Sequence, residues 1–285
     1  MNQQKKKYKI PIAFRFLRWA FPKVEAVSPY LAKKWAAKLF FTPIKFGTPS
    51  AEKPYLKMAD KFNLYVEEKK VSCYTWGTGE PIIFVHGWSG RGTQFWKFIE
   101  YFTKNGFKVI SFDAPAHGLS SGKTTSILEF ENIIRQLAEK FDVHHLIGHS
   151  LGGVASLLAA KNGLKVKNLF MIGSPSIADE VISEFLKKIN GTQASSDGIR
   201  NYVKQRTDRP FEDFMSLQII QGINDLNLKL IHDEYDSEVP IKHAEELIKR
   251  YPRATIFKTS GLGHTRILKD QVVIEECMNQ IKKSA

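Results

Sequence analysis

The chain has 285 residues, 43% of them apolar, enough to bury a sizeable core, so disorder is not the default expectation. Its two cysteines, Cys73 and Cys277, lie far apart in no redox or metal-ligand spacing, which excludes a disulfide scaffold and a zinc module and fits a reducing compartment. The net charge of +13 is unevenly spread: residues 1–60 hold 13 Lys/Arg against three acids, Glu25, Glu52 and Asp60, leaving only +3 for the other 225 residues. Any function that depends on basic charge is therefore expected in the first sixty residues.

That segment opens with Lys5, Lys6 and Lys7 and continues into an apolar stretch around Phe14, Phe16, Leu17, Trp19 and Phe21, interrupted by Arg15 and Arg18 and bracketed by Pro11 and Pro22. The stretch is too short and too charged to span a bilayer and lacks a small-residue cleavage site, so a cytoplasmic location is expected, at most peripheral at the inner membrane surface. Ser28 and Pro29 fit the N-cap and first position of a helix running through YLAKKWAAKLFF. Leu31, Trp35 and Leu39 are expected to share an apolar face with Ala32, Ala36 and Phe40, leaving Lys33, Lys34 and Lys38 elsewhere. This helix is suited to docking on the rest of the chain or to contact with an anionic membrane. Nucleic acid is disfavoured because no recognised binding signature accompanies the charge.

From residue 64 the pattern turns to strands. Leu64 and Val66, then Val71, Cys73 and Trp76, predict a hairpin about Glu67–Lys70, and after GTGEP the run Ile82–Val85 predicts a strand buried on both faces. A helix is expected over 95–104, a strand over 107–112, a helix over 127–140 and a strand over 143–147. A further helix starts directly after Ser150, and a strand follows over 166–172. About fifty residues without a core strand come next, with helical candidates at 178–189 and 199–206, which predicts a small helical cap inserted over about 174–226. The alternation resumes at Leu228–Ile231, with a helix at 241–250, a strand at 255–258 and a helix at 272–281. The class is thus α/β: a mostly parallel central sheet with helices on both faces. The reading in domains is a basic extension over 1–60 and a main domain over 61–285 that carries the cap.

Between a predicted strand and a predicted helix stands GHSLGG, a G-x-S-x-G motif at 148–152 in which the turn lifts the Ser150 hydroxyl above the sheet and the glycines supply room. Ser150 is the candidate nucleophile and needs a base. His264, in SGLGH between the last strand and the last helix, is placed to supply it, ahead of His86, His117 and His149. The loop HDEYDSEVP offers Asp233, Glu234, Asp236 and Glu238 as the acid that orients the base. Backbone N–H groups of Leu151 and Trp88, the latter in HGWSGRG at 86–92, are the candidate oxyanion donors. Asp113 and His117, in FDAPAHGLS at 112–120, are expected to organise loops.

Taken in order, HGW, FDAPAHGLS, GHSLGG, DSEVP and GLGH resemble the signatures of the α/β-hydrolase superfamily, most closely its small serine esterases and acyl hydrolases. The resemblance covers about residues 64–285 and implies the α/β-hydrolase fold with a triad of Ser150, Asp236 and His264. DSEVP resembles the family's acid-bearing D-x-x-V-P segment, which puts Asp236 ahead of Asp233. Two positions depart from the pattern: Ala116 stands where glycine is usual, and Asp233 where glycine usually precedes the acid. The implied reaction is hydrolysis of a small or medium acyl ester through an acyl-enzyme, with no metal or organic cofactor. The alternatives are a monoacylglycerol or lysophospholipid lipase or a thioesterase at a membrane surface, a carbon–carbon bond hydrolase holding its substrate through groups such as Arg200, Arg206 or Arg209, and a non-enzymatic membrane-associated binding protein.

Overall fold

The structure, a computed structural model, describes residues 12–283; Lys5, Lys6, Lys7 and Pro11 lie outside the described residues. Three helices come first, α1 (Ile12–Val27), α2 (Pro29–Phe40) and the short α3 (Lys53–Met58). A hairpin of β1 (Asp60–Val66) and β2 (Lys69–Trp76) leads into β3 (Glu80–Val85), α4 (Trp96–Lys104), β4 (Phe107–Asp113), α5 (Ile127–Phe141), β5 (His145–His149), α6 (Leu151–Lys161) and β6 (Asn168–Ile172). Then come α7 (Ala178–Ile189), α8 (Ser196–Thr207) and a single turn, α9 (Ser216–Ile219). The chain closes with β7 (Asn227–Asp233), α10 (Lys242–Arg250), β8 (Thr255–Thr259), the short α11 (Gly263–Arg266) and α12 (Gln271–Lys283). By contacts it divides into two compact units, residues 12–40 with Ala178–Phe211, and Phe41–Ile177 with 212–283.

The larger unit is built on one eight-stranded sheet in the order β1-β2-β4-β3-β5-β6-β7-β8. β1 and β2 pair antiparallel, as do β2 and β4, and every other pair is parallel. The continuous apolar run of β3 has the expected cause: Ile82, Ile83, Phe84 and Val85 are all fully buried. Alternation sends Ile82 and Phe84 into one core layer with Phe95, Phe98 and Phe102 near α4 and Ile274, Cys277 and Met278 of α12. α5 and α6 pack against β3 as well, so helices cover both faces. The parallel β4, β3, β5, β6, β7 and β8 all have their carboxyl ends on one side, and β3 lies between β4 and β5, where the strand order reverses. Open α/β sheets place their sites at such a switch point, beyond the carboxyl ends of the strands.

Residues 41–58 belong with the sheet because they are tied to the loop after β3. The Ile44 N–H donates to Ser89 Oγ at 3.0 Å, Arg91 donates to the Phe46 carbonyl at 3.2 Å, and Glu52 accepts from Thr93 Oγ1 at 2.7 Å.

In the smaller unit α1 packs on α2 and α7, and α2 on α8. Pro22, read as the end of the first apolar stretch, lies inside α1. Proline cannot donate to the carbonyl four residues back, that of Arg18. Asn190 Nδ2 donates to this carbonyl instead, at 3.1 Å, so the helix continues without an orphaned acceptor. The buried face of α2 also differs from expectation: Ala32, Ala36 and Ala37 are its buried residues, while Leu31 is 55% exposed. A Cβ on Gly198 of α8 would lie 2.2 Å from the Lys33 carbonyl oxygen. The two helices approach so closely that only small side chains fit between them.

Candidate active site

Ser150 sits between the last residue of β5 and the first of α6, with φ +52° and ψ −121°, a left-handed backbone that L-residues rarely adopt. Its N–H donates to the Ile172 carbonyl at 2.8 Å, which pins the turn to the neighbouring strand β6. The glycines of the motif are steric necessities. A Cβ at Gly148 would lie 2.4 Å from the Gly153 nitrogen, one at Gly152 would lie 2.2 Å from the Val85 carbonyl oxygen, and one at Gly153 would lie 2.1 Å from Ser174 Oγ. Ser150 is half-buried, and among the described residues its hydroxyl has no hydrogen-bond partner.

The β3 end reaches the same place. A Cβ at Gly87 would lie 2.9 Å from Ser150 Cβ and 3.1 Å from His149 Nδ1, so only glycine allows the HGW loop to touch the elbow. The main chain of Trp88 follows at once, and Leu151 opens α6, where the first N–H groups have no intrahelical acceptor and the helix dipole is positive. Neither amide donates a hydrogen bond among the described residues. The Trp88 ring is partly exposed and meets His117 edge-on, with centroids 5.6 Å apart.

Two buried histidines hold this loop. His86 Nε2 accepts from the Ala114 N–H at 2.9 Å while its Nδ1–H donates to the Gly87 carbonyl at 2.7 Å. His117 Nε2 accepts from the Ser89 N–H at 2.9 Å, and its Nδ1–H donates to the Pro115 carbonyl at 3.0 Å. Asp113 accepts from the N–H groups of Gly92 and Leu119, each at 2.8 Å, and from the Tyr74 hydroxyl at 2.6 Å. With every acceptor face so occupied, Asp113 and His117 organise loops in this structure.

The loops after β7 and β8 bring Asp236 and His264 together, Nδ1 to Oδ2 at 2.7 Å. The other oxygen of Asp236 accepts from the N–H groups of Glu238 and Val239, both at 2.9 Å. Burial alone would push the Asp236 carboxyl up, but His264 and the two backbone donors outweigh it and hold it below the usual carboxylate range. A carboxylate that accepts from Nδ1–H fixes the tautomer that leaves His264 Nε2 as an acceptor. Gly173, at the end of β6, lies against the pair: a Cβ there would be 3.2 Å from His264 Nδ1 and 3.4 Å from Asp236 Oδ2. Glu234 and Glu238 are exposed.

Asp233 does other work. Fully buried, it accepts from the Tyr235 N–H at 3.0 Å, from Thr259 Oγ1 at 2.9 Å and from the Leu262 N–H at 2.8 Å. It therefore ties the acid-bearing loop to the loop that carries His264, a job the glycine usual at this position could not do.

His149, in sequence an alternative base, has another place in the structure. It is buried, its Nε2–H donates to the His264 carbonyl at 2.8 Å, and its ring centroid lies 4.6 Å from that of His264. Gln94 Nε2 donates to its Nδ1 at 3.3 Å. The long polar residue preceding Ser150 is a weak signal for this contact, because its partner is a backbone atom 115 residues away.

Burial is the main reason that His86, His117 and His149 are pushed down, to about 4, about 3 and about 3. Each protonates more readily in the unfolded chain, near its ordinary value of about 6.5. Their contribution to stability is therefore complete above about pH 6.5 and is lost as pH falls towards the folded values, by at most about 1.4 kcal/mol per pH unit for each histidine. The urea midpoint is expected to fall steadily as pH is lowered from about 6.5 to about 4, and a flat profile would contradict neutral burial of these rings.

Against this geometry stand the comparisons. Residues 80–269 match the family model described as "alpha/beta hydrolase fold". The chain belongs to the α/β-hydrolase fold family. Among this chain's relatives, a monoacylglycerol lipase (abhd6-A) of Xenopus laevis is 28% identical over 206 residues, 63% of this chain and 58% of that protein. A pimeloyl-[acyl-carrier protein] methyl ester esterase of Xanthomonas campestris pv. campestris is 30% identical over 98 residues, 34% of this chain and 38% of its own. The crystal structure of a membrane phospholipase A, a bacterial virulence factor, superposes with a TM-score of 0.62 at 14% identity, covering 95% of this chain and 98% of its own, a likeness of fold. This α/β-hydrolase thus spans somewhat over half the length of the first relative and less of the second.

One departure from the family pattern is visible in the backbone. Ala116 is buried with φ +65°, the left-handed region that favours glycine, and its N–H donates to the Ser121 carbonyl at 2.8 Å. Relief of this strain outweighs the added freedom of the unfolded chain, so Ala116→Gly is expected to stabilise this α/β-hydrolase by about 0.5–1 kcal/mol, read as a higher urea midpoint at unchanged m-value.

Proposed function

We propose that the protein is a serine hydrolase that cleaves carboxylic acyl esters through an acyl-enzyme. The observation that carries this reading is the 2.7 Å contact of His264 Nδ1 with the buried Asp236, at the same sheet edge as the strained Ser150 elbow. Ser150 Oγ attacks the ester carbonyl and gives its proton to His264 Nε2. The oxyanion forms among the N–H groups of Trp88 and Leu151, each such donor worth roughly 3–4 kcal/mol of transition-state stabilisation. The intermediate collapses, and His264 returns the proton to the departing alcohol. Water then attacks the acyl carbon, loses a proton to the same nitrogen and releases the acid, restoring the Ser150 hydroxyl.

The choice of bond is supported by the names of the relatives, a monoacylglycerol lipase and a methyl ester esterase, both of which act on esters. Monoacylglycerols are accordingly the first natural esters to offer. Of the arginines considered for a carbon–carbon bond substrate, Arg200 is paired with Asp179 and Arg206 lies over the Tyr202 ring, 5.0 Å from its centroid. The test is a panel of p-nitrophenyl esters of rising acyl length, monoacylglycerols and an acyl thioester, offered to the wild type and to Ser150→Ala. Turnover of at least one ester by the wild type alone is expected. Silence across the panel from folded wild-type protein would overturn the reading.

A further inference from the structure

α1 carries two apolar stripes, and only one of them is used. Phe21 is fully buried on one side, whereas Phe16, Trp19 and Val27 are 63%, 58% and 87% exposed. Positions 16, 19, 23 and 27 follow the spacing that aligns side chains along one helix face, so the exposed residues form a single line with Lys23 between them. Within it the Phe16 and Trp19 rings are 5.7 Å apart, and Lys23 Nζ lies 4.2 Å from the Trp19 centroid. The first turn of α2 carries Tyr30 and Leu31, also exposed.

Cations stand in and beside this line. Arg15, Arg18 and Lys23, with Trp19, Pro22 and Asn190, border an open hollow of about 510 Å³. The helix has one acid, Glu25, which accepts from the Thr192 N–H at 3.1 Å and from the Ser195 hydroxyl and does not border the hollow. Among the described residues no helix is long and apolar enough to cross a membrane. Aromatic side chains in line with basic ones on an exposed helix face are the chemistry of a segment that lies in the plane of an interface.

We propose that this face of α1 docks on an anionic lipid surface, with Phe16, Trp19 and Val27 entering the headgroup boundary and Arg15 and Lys23 holding lipid phosphates, while Arg18 donates to Asn190 Oδ1 at 2.9 Å. Charge selects the occupant: residues 1–60 carry most of the net charge of +13, so a second copy would be repelled and an anionic bilayer attracted.

The experiment is co-sedimentation of the full chain with vesicles of phosphatidylcholine alone and of phosphatidylcholine with phosphatidylglycerol, without substrate, so that it stands or falls separately from the chemistry at Ser150. Wild type is expected to bind the anionic vesicles, less so as salt is raised, and to bind the neutral ones at least about tenfold more weakly. The double variant Phe16→Ser, Trp19→Ser and the double variant Arg15→Glu, Lys23→Glu should each lose about tenfold or more on anionic vesicles. All these side chains lie at the surface, and a circular-dichroism melt checks that each variant keeps its fold. Equal binding by wild type and folded variants, equal binding to both vesicle types, or no vesicle binding with self-association through Phe16 and Trp19 would each overturn the proposal.

Discussion

Ser150→Ala is expected to lower kcat on any ester that the wild type turns over by about 10⁶-fold, with KM nearly unchanged. The size of the loss follows from what remains. The Trp88 and Leu151 amides would still polarise a bound carbonyl, but the only attacking group would be water, which nothing at the elbow holds in line. A residual rate about 10³-fold above the uncatalysed reaction is what such donors and binding sustain alone. The fold should survive, because the Ser150 hydroxyl bonds to no described residue and the turn is held by its backbone N–H on Ile172 and by the surrounding glycines. A melting temperature within about 2 °C of wild type, beside the lost turnover, separates loss of chemistry from loss of structure.

Asp236→Asn is expected to cost about 10⁴-fold in kcat, by a different route. In the native protein one oxygen of Asp236 accepts from the Glu238 and Val239 N–H groups, and the other accepts from His264 Nδ1–H. An asparagine keeps the two backbone donors only by turning its carbonyl oxygen towards them, which points its amide N–H at His264. The ring must then accept at Nδ1 and carry its proton on Nε2, where it can no longer take one from Ser150. Histidine NMR should report this change of tautomer directly in a folded protein. An Asp236→Asn enzyme with near-normal kcat would show that another group orients the base.

Much of this architecture was legible in sequence because it depends on local signals. The apolar run of β3 reads as a strand buried on both faces because it is one, and GHSLGG reads as an elbow because three of its neighbours leave no room for a Cβ. The order of strands and helices around them follows the expected alternation closely. What the sequence hid depends on contacts between distant residues. Pro22 reads as the end of an apolar stretch, yet the helix runs through it because Asn190 takes over the carbonyl it leaves free. Ala32 and Ala36 look like fillers beside Leu31 and Trp35 until Gly198 brings a second helix down on them.

Asp233 and Asp236 differ through distant contacts as well. By position Asp233 and Asp236 competed on nearly equal terms, and only the resemblance of DSEVP to a family segment ranked them. In the structure the difference is one of donors: Asp233 is saturated by Tyr235, Thr259 and Leu262, while Asp236 keeps one oxygen for His264. His149 was hidden for a related reason, since its hydrogen bond to a backbone carbonyl leaves no mark on the side chain at the other end.

The central claim is that Ser150 is a nucleophile activated at this sheet edge, and covalent labelling tests it most directly. Treated with an alkyl fluorophosphonate and weighed intact, the wild-type protein should gain the mass of one phosphonyl group, mapped after digestion to the peptide containing Ser150, and Ser150→Ala should gain none. Folded wild-type protein that stays unlabelled, or an adduct that maps elsewhere and persists in Ser150→Ala, would contradict the account.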